Sequence, residues 1–567
     1  MINEETLGES RNWVEIQLHE IGEVVTGNTP PTKHSENYGS DIPFIKPPHL
    51  QNNIINKSDT YLSKIGLTSA RLLPENSILV SCIGNLGKTA LNNVPVATNQ
   101  QINSIVPSQY LNSKFIFYQV QSSKFINQLE ANASATTIPI VNKSKFEKLN
   151  ISLCSLNEQN RIVDKIETLF SEVDAGIANL TLAKRQLEQY RQSLLQHAFE
   201  GKLTAEWRKN YAKHTGKSLP TADELLEQIQ MARQAHYDQQ IKEWEKSVEA
   251  WEKEGKNGRK PSKPKQITNI ANVDKTELND ILPDCWSEHF LESLSTISGG
   301  LTKNSSRKTL EEQVPYLRVA NVYANELRLD DITYIGIKES EKPRVLLQKG
   351  DLLIVEGNGS IEHIGRVALW NGEIDPCYHQ NHLIKARTLN NVDPHYILYF
   401  LMSPIGRKRI VKVASSTTGL HTLSLSKVSN LIIPFTSLDE QKEIVKQLEE
   451  KLSDTDRLII DIDNQLIKAN LLKTSILHKA FQGKLVPQDP NDPPASELLA
   501  QIKAEREAQA LAEQQAKDAK KKNKATSKRT PKKKAKVKTK ATDAQGKSAK
   551  IDTDDATTEQ GQIKLPL

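Results

Sequence analysis

The chain writes one long stretch twice. Ser155–Leu203 returns without a gap at Ser437–Leu485, keeping Leu156/Leu438, Glu158/Glu440, Gln159/Gln441, Ile162/Ile444, Val163/Val445, Asp174/Asp456, Ser193/Ser475 and Leu195/Leu477. The block Ala198-Phe199-x-Gly201-Lys202-Leu203 also returns, as Ala480-Phe481-x-Gly483-Lys484-Leu485. Chance does not hold such a register, and a period near half of 567 residues is far longer than a solenoid unit. The repeat implies a duplicated module and pseudo-twofold symmetry.

Each copy reads as one long helix. In the first, Ile162, Ile166, Leu169, Val173, Gly176, Leu180, Ala183, Leu187, Tyr190 and Leu194 recur at steps of four and three, the seam of a coiled coil. The second is rougher, with Lys451 and Thr455 on or near the seam, but Leu448, Leu452, Ile459, Ile462, Leu466, Leu472 and Ile476 keep an apolar face. Asn157 before Glu158 suits a helix start, and Gly201 and Gly483 suit a stop. A helix of about 40 residues is roughly 60 Å long, so such helices hold things apart. A long amphipathic hairpin in a scaffold protein fits this pattern equally well.

Two globular segments precede the helices. From Trp13 to about Cys154, short apolar runs at Ile42–Ile45, Ser77–Ile83 and Ile102–Val106 are broken by Pro, Gly and Asn, which reads as strands and turns. Phe115–Leu129 is the best helix there. The same order recurs from Trp286: Trp13-Val-Glu-Ile answers Trp286-Ser-Glu-His, Ile42-Pro-Phe-Ile-Lys46 answers Val314-Pro-Tyr-Leu-Arg318, and Asn99-Gln-Gln-Ile102 answers Gln380-Asn-His-Leu383. Ser134-Ala-Thr-Thr137 answers Ser415-Ser-Thr-Thr418, and between these anchors the sequences diverge. The unit written twice is therefore a variable domain followed by a nearly constant helix.

The expected organisation is α+β, with a lead-in at 1–12, mixed α/β domains at 13–155 and 281–437, and long helices at 156–203 and 438–486 that pair antiparallel as a coiled coil. Residues 204–280 form a charged helical insertion and linker, in which Thr221 and Glu224 suit a capping box. Residues 487–505 form a short helical extension, and 506–567 a disordered Lys-rich tail.

Charge and cysteine content narrow the function. Lys517–Lys550 holds fifteen Lys or Arg against Asp518 and Asp543, a local +13 within a total of +6, so the rest of the chain carries −7. Any nucleic-acid site outside the tail must be a local patch. The tail itself would bind polyanions non-specifically, or only solubilise. Cys82, Cys154, Cys285 and Cys377 lie far apart, which supports neither a zinc site nor a disulfide framework. With no membrane-length apolar run and a polar start, the expectation is a soluble cytoplasmic protein.

No catalytic pattern is complete. Gly84-Asn-Leu-Gly87-Lys88-Thr89 has two residues, not four, between its first glycine and Gly-Lys, so it is no P-loop. Its counterpart, Gly357-Asn358 through Gly365-Arg366, favours a glycine turn presenting Lys88 or Arg366. Dinucleotide, nucleophile-elbow, zincin and amino-methyltransferase motifs are missing, so the chain is expected to carry no catalysis, metal or cofactor. His363, His379, His382, His395 and His421 cluster in the second domain without matching acidic or thiol partners. Asn99-Gln100-Gln101 and His379-Gln380-Asn381-His382 instead have the side chains that read base edges, though polar loop ends closing a strand use the same residues.

The run Asn157-Glu-Gln-Asn-Arg-Ile-Val163, its second copy Asp439-Glu-Gln-Lys-Glu-Ile-Val445, and Leu477-His-Lys-Ala-Phe-Gln-Gly-Lys-Leu-Val-Pro-Gln-Asp-Pro through Leu499 resemble the specificity subunit of type I restriction-modification systems. The resemblance covers most of residues 13–505; the insertion after Leu203 and the Lys-rich tail depart from it. It implies two target recognition domains, each reading half of a split double-stranded DNA target, and two spacer helices that set the gap and dock two modification subunits. S-adenosylmethionine-dependent adenine methylation, and Mg- and ATP-dependent translocation and cleavage by restriction subunits, would belong to partners, in a prokaryotic cytoplasm at the nucleoid. Candidate DNA contacts are Lys46, Asn85, Lys88, Asn99, Gln100, Gln101, Thr136, Thr137, Arg318, Asn321, Arg366, His379, Gln380, Asn381, His382, Thr417, Thr418 and His421. Candidate docking and spacer residues are Glu158, Gln159, Ile162, Val163, Glu440, Gln441, Ile444, Val445, Phe199 and Phe481. The rival readings are a coiled-coil scaffold that binds no DNA and a bifunctional methyltransferase.

Overall fold

The computed structural model describes residues 13–527 apart from 135–136, 257–259, 265–272, 274–275, 279 and 418–419. The chain forms two compact units, residues 1–163 with 487–567, and residues 164–486.

In unit 1, Val14–Gln17 pairs antiparallel with Asn150–Leu153. A five-stranded sheet runs Gly22–Thr26, Ile102–Pro107, Ile78–Ser81, Thr89–Asn92 and Asn53–Ile55 in spatial order. A four-stranded sheet runs Tyr61–Leu62, Tyr38–Ile45, Val96–Thr98 and Leu72–Leu73. Ile45, Leu50, Leu73, Leu79, Ala90, Val96 and Ile102 share a core cluster. The single helix expected over Phe115–Leu129 is two, Ser113–Gln119 and Ser123–Ala131, because the Ser122 hydroxyl accepts the Phe125 N–H and caps a new start.

Unit 2 repeats the plan. Ser287–Phe290 pairs with Ile432–Phe435, and a sheet runs Ser295–Gly299, Leu383–Thr388, Leu352–Val355 and Val367–Leu369. The parallel contact Ile45↔Thr98 of unit 1 has its match in Leu317↔His379. Unit 2 adds the hairpin Val322–Tyr323/Glu326–Leu327, and its three-stranded sheet of Gly357–Asn358, Leu420–Thr422 and Ser415–Thr417 extends what in unit 1 are the single antiparallel bridges Ile83↔Ile140 and Ser134↔Ile140.

The long helices are Leu156–Phe199 and Leu438–Ala480, each about 65 Å by the α-helical rise. Their starts lie earlier than Asn157 suggests: Ser155 Oγ accepts the Glu158 N–H at 3.1 Å and Ser437 Oγ the Glu440 N–H at 3.3 Å. Both end on a left-handed glycine, Gly201 (φ 73°) and Gly483 (φ 69°), where the next N–H, of Lys202 or Lys484, returns to the carbonyl of His197 or Lys479.

Within unit 2 the two helices run antiparallel. Lys184 pairs with Asp463 at 2.6 Å, and Arg191–Asp456 and Lys473–Asp174 lie on either side of it. Each step back along one helix is matched by the same step forward along the other. Leu169, Val173, Leu180, Ala183 and Leu187 are half-buried along this seam. Gly176, Tyr190 and Leu472 are exposed, contrary to the expected seam, since Ile177, Arg191, Ala469 and Lys473 take the inward positions. At its far end the first helix enters unit 2's core, where Phe199 meets Tyr396 and Phe400 edge-on at 5.2 and 5.3 Å.

The insertion forms helices Ala205–Thr215 and Ala222–Lys253, the latter started by the expected capping box of Thr221 and Glu224. Leu225 and Ile229 bury this helix on unit 2, and Arg233 Nη1 donates to Ser295 O. Leu498 and Ile502 seat the helix Ala495–Ser527 on unit 1 in the same spacing, with Arg506 donating to His19 O. That helix runs past residue 505, where a disordered tail was expected, because Ala, Glu, Gln and Lys favour helix. Residues 528–567 of the expected tail lie outside the described residues. No described helix is long and apolar enough to cross a membrane.

Candidate nucleic-acid interface

One set of backbone bonds gathers the loop ends of unit 1. Asn99 N donates to Ile45 O at 3.1 Å, Cys82 N to Gln101 O at 2.9 Å, and Val141 N to Cys82 O at 2.9 Å. Lys46, Asn85, Lys88, Asn99–Gln101 and Thr137 therefore belong to loops at one end of the unit. In unit 2, Gln380 N donates to Leu317 O at 2.9 Å, Glu356 N to His382 O at 3.0 Å, and Leu423 N to Glu356 O at 2.7 Å. The same closures thus bring together Arg318, Arg366, His379–His382 and His421.

The side chains in these shared frames have unlike fates. The turn with Gly84 (φ 77°) and Gly87 (φ 78°) leaves Asn85 and Lys88 exposed, while Ser81 Oγ holds its backbone by donating to Asn85 O and accepting from Lys88 N. Gln100 is exposed, its Oε1 accepting from Thr29 Oγ1 at 2.5 Å, and Thr137 is exposed. Lys46 Nζ donates to Thr60 Oγ1 at 3.0 Å. In unit 2, Arg318 pairs with Asp331 at 2.7 Å and Arg366 lies over the Tyr323 ring. Gln380 and Asn381 are half-buried, and exposed His382 meets Glu356 at 2.7 Å. Half-buried His421 stands opposite Asn358 in the three-stranded sheet. Thr417 ends a strand of that sheet, and its side chain lies outside the description, as do Thr136 and Thr418 altogether.

Three candidates are structural. Asn99 is buried and its amide donates to Gln101 Oε1 at 2.9 Å, closing its own loop. Buried Asn321 accepts the Arg318 N–H at 2.9 Å and donates to the carbonyls of Arg328 and Asp331. His379 is fully buried, with Nδ1 on Leu383 O at 2.9 Å, and burial pushes its pKa down to about 3. None of the three side chains is free to meet a base.

The constant helix residues also face inward. Trp13 Nε1 donates to Glu158 at 3.0 Å and Trp286 Nε1 to Glu440 at 2.9 Å. Gln159 Oε1 accepts the Asn112 N–H at 3.1 Å and Gln441 Oε1 the Asp393 N–H at 2.9 Å, each at the cap of a domain helix. Ile162, Val163, Ile444, Val445, Phe199 and Phe481 are buried. Glu158, Gln159, Glu440 and Gln441 join helix to domain, and all ten side chains are buried, so they give a partner no docking surface.

Residue types alone missed Asp59 and Asp331, which face His49 at 3.1 Å and Arg318 at 2.7 Å. They also missed Tyr323 and Arg328. Lys385 is buried, its ammonium donating to Arg344 O and Leu346 O, and burial lowers its pKa to about 8. Among the described residues no three His, Cys, Asp or Glu converge as metal ligands.

The frame is shared with known proteins. Residues 10–181 and 283–469 match the type I restriction modification DNA specificity domain. The type I restriction enzyme EcoKI specificity subunit of Escherichia coli K12 is 25% identical over 518 residues, covering 88% of this chain and 96% of that protein. The StySPI specificity subunit of Salmonella potsdam is 23% identical, covering 87% and 95%. A solved chain described in a study of complex assembly and conformational transition of the type I R-M system shares the fold, with TM-score 0.56 at 18% identity over 83% of this chain and 98% of that one. With both copies of its repeat matched, the chain belongs to the type I restriction-modification DNA specificity family.

Proposed function

We propose that the two domains, taken as residues 13–155 and 281–437, read the two halves of an asymmetric, bipartite double-stranded DNA target, and that the paired helices fix the gap. The observation that carries this reading is the identical set of loop closures in both units around different side chains: exposed Asn85, Lys88 and Gln100 in one, half-buried Arg366 and exposed His382 in the other. A common frame with unlike tips suits unlike half-sites. Half-sites on one face of a duplex have centres about 34 Å apart, a distance a rigid helix can set and a loop cannot.

The same reading has the helices dock two modification subunits. Tyr190 and Leu472 stand one repeat apart, and both are open to solvent, 46% and 50% exposed. Two copies of one partner call for two equivalent places. Methylation with S-adenosylmethionine, and ATP- and Mg-dependent cleavage by restriction subunits, lie with the partners, in the cytoplasm at the nucleoid.

The test is to sequence methylated adenines in host DNA after exchanging residues 13–155 for another such domain. One half of the modified motif changes while the other half and the gap stay. A motif that keeps both halves refutes the reading. Salt-dependent DNA binding that survives removal of residues 506–567 separates it from a scaffold.

A further inference from the structure

Tyr323 lies on the hairpin that unit 2 adds to the shared frame, and two guanidinium groups approach its ring. Arg328 Cζ is 3.9 Å from the ring centroid and Arg366 Cζ 5.0 Å. Two of the three arginines in this patch are neutralised, Arg328 by Glu326 at 3.0 Å and Arg318 by Asp331 at 2.7 Å. Among the described residues Arg366 pairs with no carboxylate. Its Nη2 reaches only Val319 O, at 3.5 Å, and its buried Nε has no hydrogen-bond partner.

We propose that Arg366, held by Tyr323, is a specificity-determining residue that reads a guanine in the half-site bound by unit 2. The inference rests on the reading above, that this unit binds half of the target. A phosphate attracts any cation, and a flexible lysine serves it. Orienting a guanidinium plane on an aromatic ring suits a planar, bidentate acceptor, and guanine offers O6 and N7 in that arrangement. Unit 1 has Lys88 at the equivalent turn, exposed and, among the described residues, with no ring beneath it, which suits a phosphate contact instead. The position thus separates a base-reading domain from a backbone-gripping one.

The experiment uses the full chain assembled with its modification subunits and maps methylated adenines genome-wide. R366K keeps the charge and removes the fork. The expected result is that one guanine position in one half accepts other bases, and that modification of the original site falls roughly 5- to 150-fold. The other half, unchanged, reports that the complex is folded. Y323A moves the same position in the same direction. If R366K leaves the motif as it was while R366A weakens all sites alike and lowers the salt slope by about one, Arg366 is a phosphate contact and the proposal is wrong. An unaltered motif overturns it as well. Exchange of residues 281–437 runs alongside: if that alters one half and R366K does not, only the Arg366 assignment fails, and if it alters neither, the reading beneath it fails too.

Discussion

Arg191 donates to Asp456 across the helix pair, and the sequence repeat carries this contact onto Lys473 and Asp174. The pseudo-twofold inferred from residue spacing is therefore written in the ion pairs of the seam. Lys184–Asp463, near the centre, has no such twin, because the repeat puts Leu466 and Thr181 in its place. Arg191 and Asp456 are 32% and 49% exposed, so the pair contributes about 1 kcal/mol or less. D456R should lower the urea midpoint of the full chain by that small amount, and R191D/D456R should recover it. A swap no better than the single reversal would show that the contact does not hold the register.

Spacing by the helices makes a second prediction. One helical turn, inserted in both helices between the two symmetric ion pairs, adds about 5.4 Å against about 3.4 Å per base pair. The gap of the modified motif should grow by one or two base pairs while both half-sites stay as they were. An altered half-site with an unaltered gap would remove the ruler role from the helices.

The helices and the duplication were legible because apolar steps of three and four and a gapless repeat need no tertiary information. Tyr190 and Leu472 were misplaced because spacing rules follow apolar residues, whereas the seam passes through Arg191 and Lys473, whose aliphatic stems pack while their charges pair across it. Asn99, Asn321 and His379 looked like base readers because residue type does not tell a side chain aimed outward from one closing its own turn. Glu158 and Glu440 read as docking residues because spacing does not show that each accepts from a tryptophan of its own domain. Tyr323 was invisible because the hairpin that lifts it occurs in one unit only.

The two glutamates predict unequal costs. Glu440 is fully buried and accepts from Trp286 Nε1, Thr436 Oγ1 at 2.7 Å, Thr204 Oγ1 at 2.6 Å and Arg208 Nη1. E440A strands the Arg208 guanidinium, which is only 14% exposed, at a cost of about 3–5 kcal/mol. Glu158 receives Trp13 Nε1, and burial raises its pKa, so E158A should cost about 1–3 kcal/mol. Denaturant titration of both variants checks the order, and a larger loss for E158A would contradict this account of the joint.

Unit 2 should weaken in mild acid for a definable reason. His379 is held neutral by burial, with a pKa down to about 3, and burial brings His289 to about 4, against roughly 6.5 for an unfolded histidine. The unfolded chain therefore takes up two protons that the folded unit refuses. Above about pH 6.5 neither residue makes stability depend on pH. As pH falls from about 6.5 to 4 each contributes a loss of up to about 1.4 kcal/mol per pH unit, and below that range His379 alone continues to about pH 3. H379Q removes one of the two, so the slope of unfolding free energy against pH between 6 and 4 should drop by one proton relative to wild type. Carboxylates titrating in that range act on both proteins alike. Equal slopes for the two would mean that His379 takes up its proton in the folded state, which its burial and unpartnered Nε2 argue against.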